Sequence, residues 1–236
     1  MNIPRLTKCF LFASVMLVSA CSTTQLAQLQ NFKLFFSSKE NVELSNEQIS
    51  ASPLDLAYVK RGEQPVITLA LAFIENETYK WVSNDKAMIE TLNGRITRLS
   101  GTEQILIHVK HLNEDPLLDI LAGGSSVSNY KRRIDTQSDG LQNYGASVSS
   151  TFSMHDGESV SINGVNYPAI KIVETIQYQD IFHGKHTWNN DFYYHRDSQQ
   201  LLQSTQTIAP NMETINIQYI SRALRLKSEQ KAELVK

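Results

Sequence analysis

The apolar positions of this chain fall into three regimes. Over residues 9–18 they form an almost unbroken run. Over residues 22–50 they are sparse in a background of Gln, Ser, Thr and Asn, yet Leu26, Leu29, Phe32 and Phe36 recur near one helical face beside Lys33. From residue 66 onward they come in short strand-length groups separated by polar turns. The second regime predicts an amphipathic helix, either packed on the folded domain or lying near a membrane. Ser45-x-x-Gln48 predicts a capping box opening a short helix that stops before Pro53.

The third regime reads as strands. Residues 66–74 are rich in β-branched and apolar types and predict a central strand covered on both faces. Glu75-Asn76-Glu77 is a turn, and residues 78–83 alternate, with Tyr79 and Trp81 on one side. Residues 87–91 and 95–99 flank Asn93-Gly94, a hairpin signal because both turn residues tolerate positive φ. A further strand covers residues 104–109. One helix interrupts the series: Asp115 is placed as its N-cap, Pro116 as its first residue, and Leu117, Leu118, Ile120 and Leu121 as its apolar face. Gly123-Gly124 ends it.

Tyr130 and Ile134 mark another strand, and later strands are expected over residues 147–155, 159–162, 165–177, 188–195, 201–208 and 214–220. The run from residue 165 is long enough to require a bend. Asp156-Gly157 and Asn163-Gly164 read as turns. Many short strands and few helices predict a mainly β fold: a single antiparallel sandwich or half-barrel with one or two short helices. The β domain is placed at residues 51–228 and a charged tail at 229–236, the chain from Ser221 being a short helix or a frayed end.

The first regime is an address. Arg5 and Lys8 precede the apolar run, which is too short for a stable membrane span, and Val18-Ser19-Ala20 precede Cys21. Small residues before a cysteine resemble a bacterial lipobox, which implies cleavage after residue 20 and a lipid on Cys21. The alternative is an ordinary secretory signal with Cys21 incidental. Residues 21–50 then form a tether, and by the same resemblance Ser22, not being Asp, directs the chain to the outer membrane. Anchoring by acyl chains is firm, since each buried methylene contributes about 0.8 kcal/mol.

Composition narrows the function. The 236 residues carry a formal charge of −2, which cleavage after residue 20 makes more negative by removing Arg5 and Lys8, so no broad basic field exists for nucleic acid. The only cysteines are Cys9 and Cys21. With Cys9 removed and Cys21 acylated, the mature chain has neither a disulfide nor a thiol nucleophile.

Trp81-Val82-Ser83-Asn84-Asp85-Lys86 followed by Thr91-Leu92-Asn93-Gly94-Arg95-Ile96 and Gly101 resembles the signature of the YjbF/GfcB lipoproteins. A second match runs from Glu174 through Phe192-Tyr193-Tyr194-His195-Arg196-Asp197 to Ser204-x-Gln206 and Pro210. The chain departs from the pattern at Tyr194, where a Trp is usual, and at Ser198-Gln199-Gln200, where a Gly is expected. The resemblance implies an all-β fold and a role in exopolysaccharide or capsule production in Gram-negative bacteria. It implies no catalytic residue set and no cofactor.

Trp81, Asn93 and Arg95 are the candidate contacts for a glycan or a protein partner: an aromatic plate, an amide and a guanidinium suit a sugar. Their alternative roles are structural, with Trp81 in the core, Asn93 in the turn and Arg95 paired with an acid such as Glu90. Asp180-x-x-His183-x-x-His186 has metal-capable side chains but sits in a loop and matches no metal motif, so no metal is expected. Lys131-Arg132-Arg133 reads either as a solvated strand edge or as a site for acidic polymer or headgroups. No serine elbow and no phosphate loop is present.

The expected protein is therefore a non-enzymatic lipoprotein on the periplasmic face of the outer membrane, accessory to exopolysaccharide or capsule production or export. It would touch the glycan or export proteins of the same operon. The alternatives are an acyl-chain carrier of half-barrel type, which needs an apolar cavity, and a glycan-modifying enzyme, which needs convergent carboxylates.

Overall fold

A computed structural model describes residues 41–124 and 129–233. Among the described residues twelve strands pair antiparallel: β1 Leu56–Arg61, β2 Ile67–Glu75, β3 Thr78–Val82, β4 Met88–Leu92, β5 Arg95–Ser100, β6 Ile105–Lys110, β7 Tyr130–Ser138, β8 Leu141–Ile162, β9 Val165–Asp180, β10 Gly184–His195, β11 Leu201–Gln206 and β12 Ile215–Gln218. Each pairs with its neighbour in sequence, and β1 pairs with β12. Tyr58 faces Gln218 and Arg61 faces Ile215 across that seam. The sheet is thus a closed barrel rather than a sandwich or half-barrel. Closure gives every strand a neighbour on each side, although β8 beyond Ser150 and β10 before Asp191 pair with β9 alone.

Tight turns set the register. Asn76-Glu77, Asn93-Gly94, Asp139-Gly140 and Asn163-Gly164 each place two consecutive residues at positive φ, the geometry whose twist matches a hairpin. Asp156-Gly157 is not a turn. Only Gly157 takes a positive φ, and β8 continues through a bulge between His155 and Glu158. On β9, Ile172, Ile176 and Tyr178 join the barrel's core cluster, whereas Tyr167 and Ala169, on the opposite face of the strand, are buried apart from it.

Because every neighbouring pair is antiparallel, the connections alternate between two rims. The β1–β2, β7–β8, β9–β10 and β11–β12 connections lie at one, called here the lower rim. The β4–β5, β6–β7, β8–β9 and β10–β11 connections lie at the upper rim.

Eight strands already enclose a space that side chains fill, and twelve enclose more. Here the extra width is taken up by aromatic and long side chains, among them Trp81, Tyr178 and Phe192 beside Leu69, Leu99, Leu106 and Ile172. Outward positions are polar: Lys131 and Arg133 on β7, Ser147, Thr151 and Ser153 on β8, Gln177 and Gln179 on β9. A barrel that crosses a bilayer shows the reverse pattern, apolar outside. This wall faces water. No helix among the described residues is long and apolar enough to cross a membrane.

Three helices dress the upper rim: α1 Asn46–Ala51, α2 Leu117–Leu121 and α3 Ile220–Glu233. Helix α1 opens with the expected capping box, Gln48 N–H donating to Ser45 Oγ and Ser45 N–H to Gln48 Oε1. Helix α3 is the chain that was expected from Ser221 onward as helix or frayed end. It buries Ala223 and Leu226, while Ser221 Oγ accepts from Leu56 N–H at 2.9 Å. At α2, Pro116 rather than Asp115 holds the cap position, because the Asp115 carboxylate turns mainly to Arg95. Strand β2 is covered on both faces only in its first half, since Phe73 and Ile74 are exposed.

Candidate functional site

The β4–β5 hairpin organises the upper rim. Asn93 and Gly94 sit at φ 52° and 90°, and a Cβ on Gly94 would lie 2.4 Å from Leu201 Cδ2. Both turn carbonyls are held from the far side of the barrel. Tyr194 Oη donates to Asn93 O at 3.2 Å, and Gln206 Nε2 donates to Gly94 O at 2.8 Å. Gln206 Oε1 in turn accepts from Ile96 N–H at 3.0 Å, so one amide binds the backbone on either side of Arg95. Ser204 Oγ accepts from the same Gln206 nitrogen at 3.0 Å. The two sequence motifs therefore meet in space.

Trp81 lies beneath this turn. Its indole N–H donates to Thr91 Oγ1 at 3.3 Å, and its ring packs 5.3 Å from the Tyr219 ring at a tilt of 58°. Above it a pocket of about 160 Å³ opens, lined by Tyr79, Trp81, Asn93, Leu118, Tyr219 and Arg222, among others. Its volume is below the ~300–1,000 Å³ of enclosed ligand pockets, so it accepts one protruding group rather than a whole ligand. The Arg222 guanidinium lies 4.7 Å from the Tyr219 ring centroid and donates to Leu201 O at 2.6 Å.

Below the pocket an ionic cluster crosses the barrel. Arg95 Nη1 donates to Glu174 Oε2 at 2.8 Å, while its Nε and Nη2 both donate to Asp115. Arg132 Nη1 donates to Glu174 Oε1 at 2.8 Å and to Ser150 Oγ at 2.9 Å. Two cations and two anions balance, as a buried cluster requires. The Tyr130 ring lies between the arginines, 5.4 Å from Arg95 Cζ and 5.3 Å from Arg132 Cζ.

Burial alone would push the Glu174 carboxyl up, but Arg132 and Arg95 together hold it at about 2. Burial alone would lower Arg95, and Asp115 and Glu174 raise it well above its ordinary value. Arg132 is lowered by burial in spite of Glu174. Tyr130 is pushed up to about 12, mainly by burial. Glu174 is thus ionised at any physiological pH. A carboxylate locked in that form cannot act as a general acid.

Residues 29–220 match the protein family described as group 4 capsule polysaccharide lipoprotein GfcB, YjbF. The chain belongs to the YjbF family. It is 26% identical to the Escherichia coli K12 uncharacterized lipoprotein GfcB over 208 residues, covering 87% of this chain and 94% of that one. It is 31% identical to the E. coli K12 uncharacterized lipoprotein YjbF over 105 residues, covering 44% and 49%. The crystal structure of the E. coli K12 hypothetical lipoprotein YmcC superposes with a TM-score of 0.68 at 28% identity, covering 75% of this chain and 88% of that one.

The structure brings the three candidate contact residues of this YjbF-family chain to one place, at different depths. Trp81 and Asn93 line the upper-rim pocket, whereas Arg95 is buried beneath it. The acids that meet Arg95 are Asp115 and Glu174, not Glu90, which faces Arg98 across β4 and β5. Arg132 leaves the basic run Lys131-Arg132-Arg133: strand alternation turns it inward and its two neighbours outward. Its role was hidden because adjacent basic residues read as one surface patch.

Asp180 serves the β9–β10 turn. It accepts from Phe182 N–H at 2.8 Å, from His183 Nδ1 at 2.7 Å, and from Tyr178 and Asn143. Burial opposes its charge, yet these donors keep its carboxyl well below the usual range. His186 Nε2 contacts His183 O at 2.8 Å, so the histidines face backbone and turn rather than one another. Among the described residues no cluster of metal-capable side chains occurs. Cys21 and the stripe from Leu26 to Phe36 lie outside the described residues.

Proposed function

We propose that this YjbF-family chain is a non-enzymatic accessory lipoprotein of capsule or exopolysaccharide production or export. It is held by acyl chains on Cys21 at the periplasmic face of the outer membrane, and its barrel touches the glycan or the export proteins. Family membership over residues 29–220 carries the reading. The polar outer wall supports it, since a barrel that faces water needs a separate anchor to stay at a membrane.

The contact is assigned to the upper rim. Tyr79, Asn93 and Arg222 offer aromatic, amide and guanidinium groups around one depression floored by the buried Trp81, and exposed Phe73 and Ile74 lie on the strand that pairs with Tyr79. Arg95 acts there through position, by fixing the hairpin from below. The interior supports the non-catalytic reading, because Asp115 and Glu174 are tied to arginines rather than presented to a cleft.

The test is genetic. A strain lacking the gene is complemented with wild type, Cys21→Ala or Tyr79→Ala, and surface polysaccharide is quantified. Both variants are expected to lower it, with Cys21→Ala also leaving the envelope fraction. Unchanged polysaccharide in the Cys21→Ala strain overturns the reading.

A further inference from the structure

The lower rim carries apolar side chains in the open. Leu141 and Tyr144 follow the β7–β8 turn and are 69% and 63% exposed. Ile181 and Phe182 form the β9–β10 turn and are 90% and 64% exposed. The two tips are one patch: Asn143, between Leu141 and Tyr144, donates to Tyr178 Oη at 2.9 Å and to the Asp180 carboxylate next to Ile181. Exposed turns ordinarily carry polar residues, so four large apolar side chains at two joined tips need an occupant.

The chain that comes from Cys21 reaches the barrel at this same rim. Val66 N–H donates to Asn41 Oδ1 at 2.9 Å, and Val42 N–H to Val66 O at 3.2 Å, at the end of the β1–β2 connection. The rim is continuous from there to the apolar tips. Gly62 N–H donates to Thr214 O at 2.9 Å, and in the same β11–β12 connection Asn211 O accepts from Gln104 at 3.3 Å and from Ser138 at 3.3 Å. Ser138 ends β7, immediately before the turn that leads to Leu141. At ~3.3–3.6 Å per residue, the chain between Cys21 and Asn41 can reach at most about 70 Å whatever its conformation. A lipid on Cys21 would therefore hold the rim at which Asn41 enters within that reach of the bilayer.

We infer that the lower rim docks on the bilayer, with Leu141, Tyr144, Ile181 and Phe182 inserted at the headgroup–acyl boundary. The inference rests on Cys21 bearing the lipid. Aromatic and aliphatic side chains together suit that boundary, and Tyr144 supplies a polar tip for the headgroup layer. The exposed charges beside the tips, Asp139 and Lys185, cancel, so the contact is apolar and independent of salt. Docking in this way turns the upper-rim pocket away from the membrane.

The test uses the mature lipidated protein in vesicles of phosphatidylethanolamine and phosphatidylglycerol. Gln142→Cys at the tips or Asn166→Cys at the upper rim carries a fluorophore, and a quencher is fixed to the acyl chains. Several-fold stronger quenching at position 142 than at 166 is expected, unchanged in high salt. Combining Ile181→Ser with Phe182→Ser should return position 142 to the level of 166 while circular dichroism stays native. Equal quenching at both positions on bound protein overturns docking, leaves anchoring intact and assigns the patch to a protein partner. A second preparation, held on nickel-chelating lipid by a polyhistidine tag in place of Cys21, reads docking even where mass spectrometry finds no acyl chain. In that case the anchoring reading alone fails.

Discussion

Arg95 and Glu174 are 79 residues apart in sequence and joined by a 2.8 Å hydrogen bond inside the barrel. Glu174 also holds Arg132, so one carboxylate answers for two cations. Removing it leaves Arg132 without an anion, while Arg95 keeps Asp115. Breaking a buried pair from one side costs about 3–5 kcal/mol. Glu174→Gln is expected to lose stability in that range by urea denaturation. Replacing Arg132 and Glu174 together by Met should cost less than the sum of the single changes. Additive losses would mean the two do not act as a pair.

Acid should act on the same group. Its folded-state value of about 2 lies below the ordinary 4.5 for glutamate. The stabilisation is therefore complete above pH 4.5 and is lost as pH falls toward 2. At ~1.4 kcal/mol per unit it is on the order of 3 kcal/mol. Acid titration of wild type should show a loss of stability across that window, and the Glu174→Gln protein should lack this component. An identical acid response in both would assign it to other carboxylates.

Gly94 tests the hairpin. Its φ of 90° disfavours any side chain, and a Cβ there meets Leu201 at 2.4 Å. Gly94→Ala is expected to destabilise by roughly 1–3 kcal/mol. Gly164, whose added Cβ would meet nothing within 4 Å, is the control and carries only the φ cost. Equal melting shifts for the two would remove the contact with Leu201 from the account.

The helix cap is a smaller contribution. Ser45→Ala removes the acceptor for Gln48 N–H and should cost about 1 kcal/mol. A thermal melt checks it, and no shift would mean that α1 is held by its packing against α3 alone.

Local chemistry made much of this readable in the sequence. Asn93-Gly94 and Asn163-Gly164 announce their turns because positive φ is a property of those residues, and Ser45 with Gln48 announces α1. Asp156-Gly157 carries the same signal but sits where β8 runs on, and only the pairing of Glu158 with Ala169 reveals a bulge. Closure was unreadable, since nothing near Tyr58 names Gln218 as its partner. The ionic cluster was half readable. Arg95 stood out in its motif, but its acids are assigned by barrel geometry, and Arg132 is separated from Lys131 and Arg133 only by which way a strand residue points.

The seam between β1 and β12 also orders events in time. The first strand finds one of its two neighbours only when the last strand is available, so a chain threaded through a pore from its N-terminus can form hairpins but cannot finish its barrel. A chain ending before Ile215 should accordingly stay protease-sensitive, whereas one ending after α3 becomes resistant. Completion of the fold therefore reports that nearly the whole polypeptide is available for pairing.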